Sequence, residues 1–395
     1  MSVLSDYFHQ YLVQTTPFPL GLEVQKAKGS YLYDHKGKAY LDFVSGVSAC
    51  NLGHRHPQIN RAIINQVQSY NHVMVYGEFI QSPVVSYGKR LINCLPKNHQ
   101  KLYPTNSGTE AMEGALKLAK KATNRSQIIS AKYCYHGSTQ GALSILGQSL
   151  NRNPFRPLIP GNQQIRFNHF DDIDMITTQT AAVVLETVQG GAGFIVPRKD
   201  YLKKVWKRCH DKGALLILDE IQTGFGRIGT LFGFEQFDVI PDLLVIGKSM
   251  ASGLPVGGFT ASAKLMDQLN NHPPLGHVTT FGGHPVVMAS ALKTLELILN
   301  ITQTNIIIKK ESLFRRLLVH EKILEIRGKG LMLALILPSE KQAQRLIRQC
   351  LEHQLITFGL LWEKVAVRIT PSLIISTKEI KKGCHIILHC LDKLE

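Results

Sequence analysis

Several things are missing from this 395-residue sequence, and each absence excludes something. Its seven cysteines are odd in number and scattered, with no Cys-x-x-Cys pair. Neither a disulfide framework nor a zinc site is expected, and a reducing, cytoplasmic setting fits best. No apolar run reaches the length that spans a bilayer, so no membrane partner is expected. The first residues, MSVLSDYFHQYLVQ, lack the uninterrupted hydrophobic stretch of a signal peptide. Repeats and low-complexity tracts are absent too. Acidic residues are scarce: 29 Asp and Glu stand against 45 Lys and Arg, a formal charge of +16. Such a balance can mark a nucleic-acid binder. Here, however, Lys309, Lys310, Arg315 and Arg316 fall at helical spacing among Ile and Leu, which reads as a solvated helix face. No RNP motif, zinc finger or basic tail accompanies them. No nucleic-acid partner is expected, and the charge favours anionic substrates and cofactors.

What is present is a globular composition, 44% hydrophobic and 19% charged, in a chain too long for one small core. Residues 22–44 alternate around Asp34–Lys38 as strand, turn and strand, followed by a Gly/His/Pro-rich loop and a helix opened by Pro57. From about residue 100, short apolar runs (QIISAKY, AAVVLETVQ, ALLILDEIQ, DLLVIGK) alternate with helical segments. Runs apolar on both faces and separated by helices imply a mostly parallel α/β sheet. After the helix HPVVMASALKTLELILN, the segments GLMLALIL, LITFGLL and VAVRITPSLII read as strands with helices between them, a smaller α+β part. The expected division is 1–50, an N-terminal segment packing with the small domain, 51–290, a large domain, and 291–395, a small domain.

Three ionisable groups, Glu186, Asp219 and Lys248, each end an apolar run. Parallel sheets bind ligands beyond the carboxyl ends of their strands, so the three can converge on one crevice. Lys248 is crowded by Gly247, Ser249, Ala251, Ser252 and Gly253. A lysine there either snorkels to water or is a desolvated amine able to form a Schiff base. Ser107, Gly108 and Thr109 precede an amphipathic stretch, which is either a plain N-cap or a phosphate cradle. Asp219 needs a cationic partner, either a nearby Arg or Lys or a protonated pyridine nitrogen. A lysine, an acid and a phosphate site are together what pyridoxal 5'-phosphate requires.

SGTEAMEGALKLAKKAT, YHGST, LLILDEIQTGFGRIG, VIGKSMASGLPVGG and TTFGGHP, in this order, resemble the class III (ornithine/acetylornithine-type) aminotransferases of fold type I. The similarity extends over essentially the whole chain. It implies that fold, a pyridoxal phosphate cofactor, no metal, and a homodimer with shared active sites. Lys248 matches the Schiff-base lysine that also shuttles the proton, and Asp219 the carboxylate at the pyridine nitrogen. Gln222 matches the residue near the phenolic oxygen, Ile221 and Tyr135 the residues on the two ring faces, and Ser107, Gly108 and Thr109 the phosphate loop. His136 and Glu186 join the cofactor contacts, and Thr280 matches a threonine reaching the phosphate from the neighbouring subunit. Arg368 matches the arginine that grips the substrate carboxylate, with Ser138, Tyr76 and Phe281 as further substrate contacts.

The resemblance implies amino transfer from an ω-amino or diamino acid, acetylornithine or ornithine foremost, to 2-oxoglutarate. The alternative is another class III enzyme: a 4-aminobutyrate or other ω-amino acid aminotransferase, an aminomutase, a racemase or a decarboxylase. Two departures bear on the substrate. ETVQGGAG has Thr187 for the usual proline, and Gly191 where many relatives carry a glutamate that pairs with the equivalent of Arg368. Ser138 stands where many carry an arginine.

Overall fold

A computed structural model describes residues 3–394; Met1, Ser2 and Glu395, at the outer ends of the expected first and last domains, lie outside them. The strands, in chain order, are β1 (Val24–Lys28), β2 (Tyr31–Asp34), β3 (Ala39–Asp42), β4 (Lys101–Thr105), β5 (Gln127–Ala131), β6 (Asn162–Ile165), β7 (Thr180–Glu186), β8 (Leu215–Asp219), β9 (Leu243–Gly247), β10 (Gly257–Ala261), β11 (Glu325–Lys329), β12 (Met332–Ile336), β13 (Leu355–Ile356), β14 (Phe358–Gly359) and β15 (Ala366–Ile369).

Seven of them form the central sheet in the order β4-β10-β9-β8-β7-β5-β6. The strands from β9 to β6 pair in parallel, while β10 runs against both its neighbours. The continuous apolar runs have their explanation here: Ala181–Leu185, Leu216–Leu218 and Leu243–Ile246 are all fully buried, because helices cover both faces. The Gly108–Thr123 helix turns Ala111, Met112, Ala115, Leu118 and Ala119 to the sheet. The Tyr201–Lys212 helix ends at Gly213, whose φ of +64° lets its N–H reach back to the last carbonyls before β8 begins.

The N-terminal strands make a second sheet, β1-β2-β3-β13, in which β13 of the C-terminal region pairs in parallel with β3. The third sheet is β11-β12-β15-β14, antiparallel throughout. Two expectations need correction here. LITFGLL is not one strand: the chain changes sheets at Thr357, giving β13 to one and β14 to the other. A helix (Glu340–Glu352) does separate β12 from β13, but β14 and β15 are joined by a short turn, as their antiparallel pairing allows.

One helix bears on the expectation that no apolar run reaches bilayer length. Among the described residues, the Pro285–Thr302 helix is long and apolar enough to cross a membrane by length and composition alone. It buries Met288, Ala291, Leu295 and Ile298 and packs against the helices Pro57–Ser69 and Ser82–Ile92, with Lys293 and Glu296 paired on its outer side. The expected boundary at 290/291 falls inside this helix.

Candidate active site

Strand register sets the site. Glu186 at the end of β7 lies directly opposite Asp219 at the end of β8, and Lys248 follows the last residue of β9. All three line one cavity of about 790 Å³, the convergence expected from their strand-end positions. Its other walls come from Asn106–Thr109 at the N-terminus of the Gly108–Thr123 helix, Tyr135–Gly137, Ile221 and Gln222, Gly191, the segment Phe358–Leu361, and Arg368 of β15.

Asp219 is buried and bonded on both oxygens, to the Ile221 N–H (2.9 Å) and to His136 Nδ1 (2.8 Å). Burial opposes a charge on the His136 ring, but the contacts to Cys134 and Asp219 outweigh it and lift its pKa well above the ordinary value. Its Nε2 has no partner among the described residues. Glu186 accepts from the N–H groups of Gly190 (2.9 Å) and Tyr135 (3.3 Å); desolvation pushes its carboxyl up to about 7. Lys248 opens a short 3-10 turn with φ +45°, a left-handed conformation that a side chain adopts at some cost. Desolvation pushes its ammonium down, and Asp219 and Glu186 partly hold it up.

Ser107 caps the Gly108–Thr123 helix by accepting the Glu110 N–H, which settles the N-cap reading of this residue. The cradle reading has its own support, since Asn106–Thr109 line the cavity at a helix N-terminus, where the first N–H groups have no intrahelical partner. Thr109 Oγ1 shares a hydrogen bond with Thr139 Oγ1 (2.7 Å), and Thr139 donates to Glu113 (2.5 Å). Gly137, with φ +132°, passes so close that a Cβ there would overlap the Thr109 side chain. Tyr135 is 37% exposed toward this space, and its hydroxyl shares a hydrogen bond with that of Ser138 (3.2 Å). Gln222 reaches Ser48 (3.4 Å) in the loop that follows β3. That loop is held by Asp42, which accepts from Val44, Ser45 and the His54 ring; His54 is raised to about 9 chiefly by this bond.

Arg368 is buried to 5% exposure, with Nε and Nη1 unpartnered among the described residues and the guanidinium 5.5 Å from the Phe194 ring centre. Burial lowers its pKa to about 10, and among the described residues no carboxylate pairs with it. An unpaired buried guanidinium opening into a cavity calls for an anion. With a desolvated lysine, a buried acid and a helix N-terminus on the same cavity, the residues fit an aldehyde-bearing, phosphorylated pyridine.

Four expected site residues do not line the Lys248 cavity within this chain: Ser138, exposed, is tied to it through the hydrogen bond with Tyr135, and the other three lie elsewhere. Tyr76 lines a separate cavity with Phe79, Tyr103 and His277; Phe281 packs against His72 and His284; Thr280 is exposed. Residues missed by the motifs are Val47, Ala49, Asn106 and the stretch Phe358–Leu361. Only their place in the fold marks them.

The chain has matches among known proteins over nearly its whole length. The model of the family "Aminotransferase class-III" matches residues 12–391. The chain belongs to the class III aminotransferases. It is 36% identical over 376 residues (91% of this chain, 94% of the other) to the acetylornithine aminotransferase of Clostridium acetobutylicum. It is 32% identical to the [LysW]-aminoadipate semialdehyde/glutamate semialdehyde transaminase of Sulfolobus acidocaldarius, over 95% of this chain and 96% of the other. Among solved structures, the ornithine aminotransferase of Toxoplasma gondii superposes with a TM-score of 0.92 at 27% identity, covering 99% of this chain and 94% of that one. The class III aminotransferase is therefore a fold type I enzyme that works with pyridoxal phosphate on small-molecule substrates.

Against that family, Thr187 has a local reason. Its hydroxyl donates to Glu220 Oε1 (2.6 Å), a fully buried acid that also accepts from Thr223, Gly233 N–H (2.9 Å) and Phe234 N–H (2.7 Å). A proline cannot make that bond. The isosteric change T187V leaves Glu220 one donor short, at a cost of about 1–3 kcal/mol. A fall of a few degrees in the thermal unfolding midpoint is expected, with the cavity and its activity retained.

Proposed function

We propose that this aminotransferase moves an amino group from an ω-amino or diamino acid, acetylornithine or ornithine, to 2-oxoglutarate. The observation that carries this reading is Arg368: a planar, unpaired guanidinium on the same cavity as Lys248, suited to grip a carboxylate with two parallel bonds. The relatives named for acetylornithine and ornithine support the donor class.

Bound pyridoxal phosphate supplies an aldehyde that carries the amino group and a ring that takes up the electrons of the donor C–H bond. Ser107, Gly108 and Thr109 would hold its phosphate, Ile221 and Tyr135 its two faces, Gln222 its phenolic oxygen, and Asp219 its ring nitrogen, with His136 orienting Asp219. Lys248 would hold it covalently. As a free amine, Lys248 would take the proton from the donor carbon and give it back. Its depressed pKa suits this, because an amine must be neutral to accept a proton. Glu186 closes the wall beside Tyr135. The exposed position of Thr280 supports a homodimer in which that residue, with Tyr76 and Phe281, completes the neighbour's cavity. We place the enzyme in the cytoplasm, with the division 1–50, 51–290 and 291–395.

A second reading has its own support: Ser138 offers no cation for a second substrate carboxylate, which favours simple ω-amino acids such as 4-aminobutyrate. Visible absorption of the holoenzyme decides between them. The cofactor band should vanish with one donor and return with 2-oxoglutarate; the donor that does this names the substrate. A band that no donor alters would move the reading to another pyridoxal phosphate chemistry. For Arg368→Lys, loss of the bidentate grip should cut kcat/KM for 2-oxoglutarate by about 10- to 100-fold, mostly in KM.

A further inference from the structure

We infer that Arg227 is a positioning residue for the substrate wall of this cavity: its buried guanidinium fastens the loop after β3 and the end of β15, as one body, to the turn that follows Asp219. The inference rests on the proposed amino-transfer reading, in which residues of the central sheet and its helices hold the cofactor and these two segments face the substrate.

The loop after β3 brings Val47 and Ala49 to the cavity, and β15 brings Arg368. The two segments are laced together. The Thr370 N–H donates to the Phe43 carbonyl (2.7 Å), and the Thr370 hydroxyl to the Val44 carbonyl (3.1 Å). In return the Ser45 hydroxyl donates to the Thr370 carbonyl (2.6 Å), and the Leu373 N–H reaches the Asn51 carbonyl (2.7 Å). The loop is also strained: Ser45, Val47 and Ser48 stand at φ of 45°, 56° and 66°, which is least favourable for the β-branched valine. Such a turn keeps its shape only where its surroundings over-determine it.

Arg227 is part of those surroundings. It lies in the turn after β8 and is fully buried. Its Nη1 donates to the carbonyls of Leu331 (2.8 Å) and Pro371 (2.6 Å), and its Nη2 to the side-chain oxygen of Asn51. The Leu331 N–H donates back to the Arg227 carbonyl (3.0 Å), and the Asn51 amide to the Phe225 carbonyl (2.8 Å). One planar fork thus holds the loop after β3, the turn between β11 and β12 and the segment after β15 to the body that carries Asp219. None of its three acceptors is a carboxylate. Burial, with the charge of Arg368, lowers its pKa to about 9, so it stays charged at neutral pH. An ammonium lacks the fork's fixed directions, and an apolar side chain would leave all three acceptors unpaired.

The test uses glutarate, a dicarboxylate with no amino or oxo group to react, titrated calorimetrically into the holoenzyme. Arg227→Lys should weaken its binding about tenfold, through a small misplacement of the wall, and Asn51→Ala by less. Affinity of the cofactor-free protein for pyridoxal phosphate, followed by absorbance, should stay within about twofold in both, because those contacts lie on the other body. Amide exchange read by mass spectrometry should quicken in residues 44–51 and 370–373 and stay unchanged in Leu243–Gly247. N51A keeps the guanidinium and carries the test if R227K folds poorly. Unchanged glutarate affinity in both variants overturns the inference, and so does a matching fall in pyridoxal phosphate affinity, the mark of a general loss of structure. If the unaltered protein binds no glutarate, the 2-oxoglutarate reading fails instead. The exchange measurement then still decides this inference: unchanged exchange in residues 44–51 and 370–373 overturns it.

Discussion

Lys248→Ala abolishes amino transfer, with kcat falling by at least about 10³-fold, the scale on which positioned proton transfer acts. Borohydride treatment followed by mass spectrometry should then leave the cofactor mass off the peptide containing residue 248, while the unaltered protein carries it. Both effects follow from one side chain doing two jobs: it is the amine on the cavity floor, and its pKa is lowered by desolvation. The backbone adds a second, separable outcome. Residue 248 sits at φ +45°, where alanine is strained and glycine is not. Lys248→Gly should be as inactive as K248A but more stable by about 0.5–1 kcal/mol, read as a higher thermal midpoint. Stability thus varies between two substitutions at one position while activity stays abolished in both.

Asp219→Asn should lower kcat by about 10²–10³-fold with the fold retained, the range for loss of one preorganised electrostatic contact. The change is isosteric, and the remaining oxygen can still accept the Ile221 N–H. The charge is what disappears, and two neighbours report it. His136 loses the carboxylate that helps hold its ring charged against burial, so its pKa should fall, visible in the imidazole resonances. Lys248 loses the largest of the groups that hold its ammonium up, so its pKa falls further. Uptake of pyridoxal phosphate by the cofactor-free protein needs the neutral amine, so the rising limb of its rate against pH should move to lower pH. A limb that stays in place would show that Asp219 does not act on Lys248 through charge.

The contrast between Asp219 and Trp362 shows why some of the site is legible in a sequence. Asp219 closes the run LLIL, and an acid ending a doubly buried parallel strand has few roles. Strand texture locates it, and the register that brings it opposite Glu186 follows from parallel pairing. Trp362 sits in a loop of no periodicity between a two-residue strand and β15. What brings it against the cavity wall is its approach to Gly191, 171 positions earlier by number. Local patterning carries no information about that distance. Thr187 is intermediate: its departure from the family's proline is visible in the sequence, but its hydrogen bond to Glu220 is a fact of packing.

The sequence by itself determined the α/β class, the parallel strands, the strand-end lysine and acids, and the helix that begins at Ser107–Thr109. These depend on hydrophobic period and short-range turn chemistry, which act between near neighbours. Tertiary structure alone decided that β13 and β14 belong to different sheets, that Tyr76, Thr280 and Phe281 stand apart from Lys248 within the chain, and that Arg368 pairs with no acid among the described residues. Those outcomes depend on which surfaces meet after the sheets assemble, and on the cost of leaving buried polar groups unpaired where they meet.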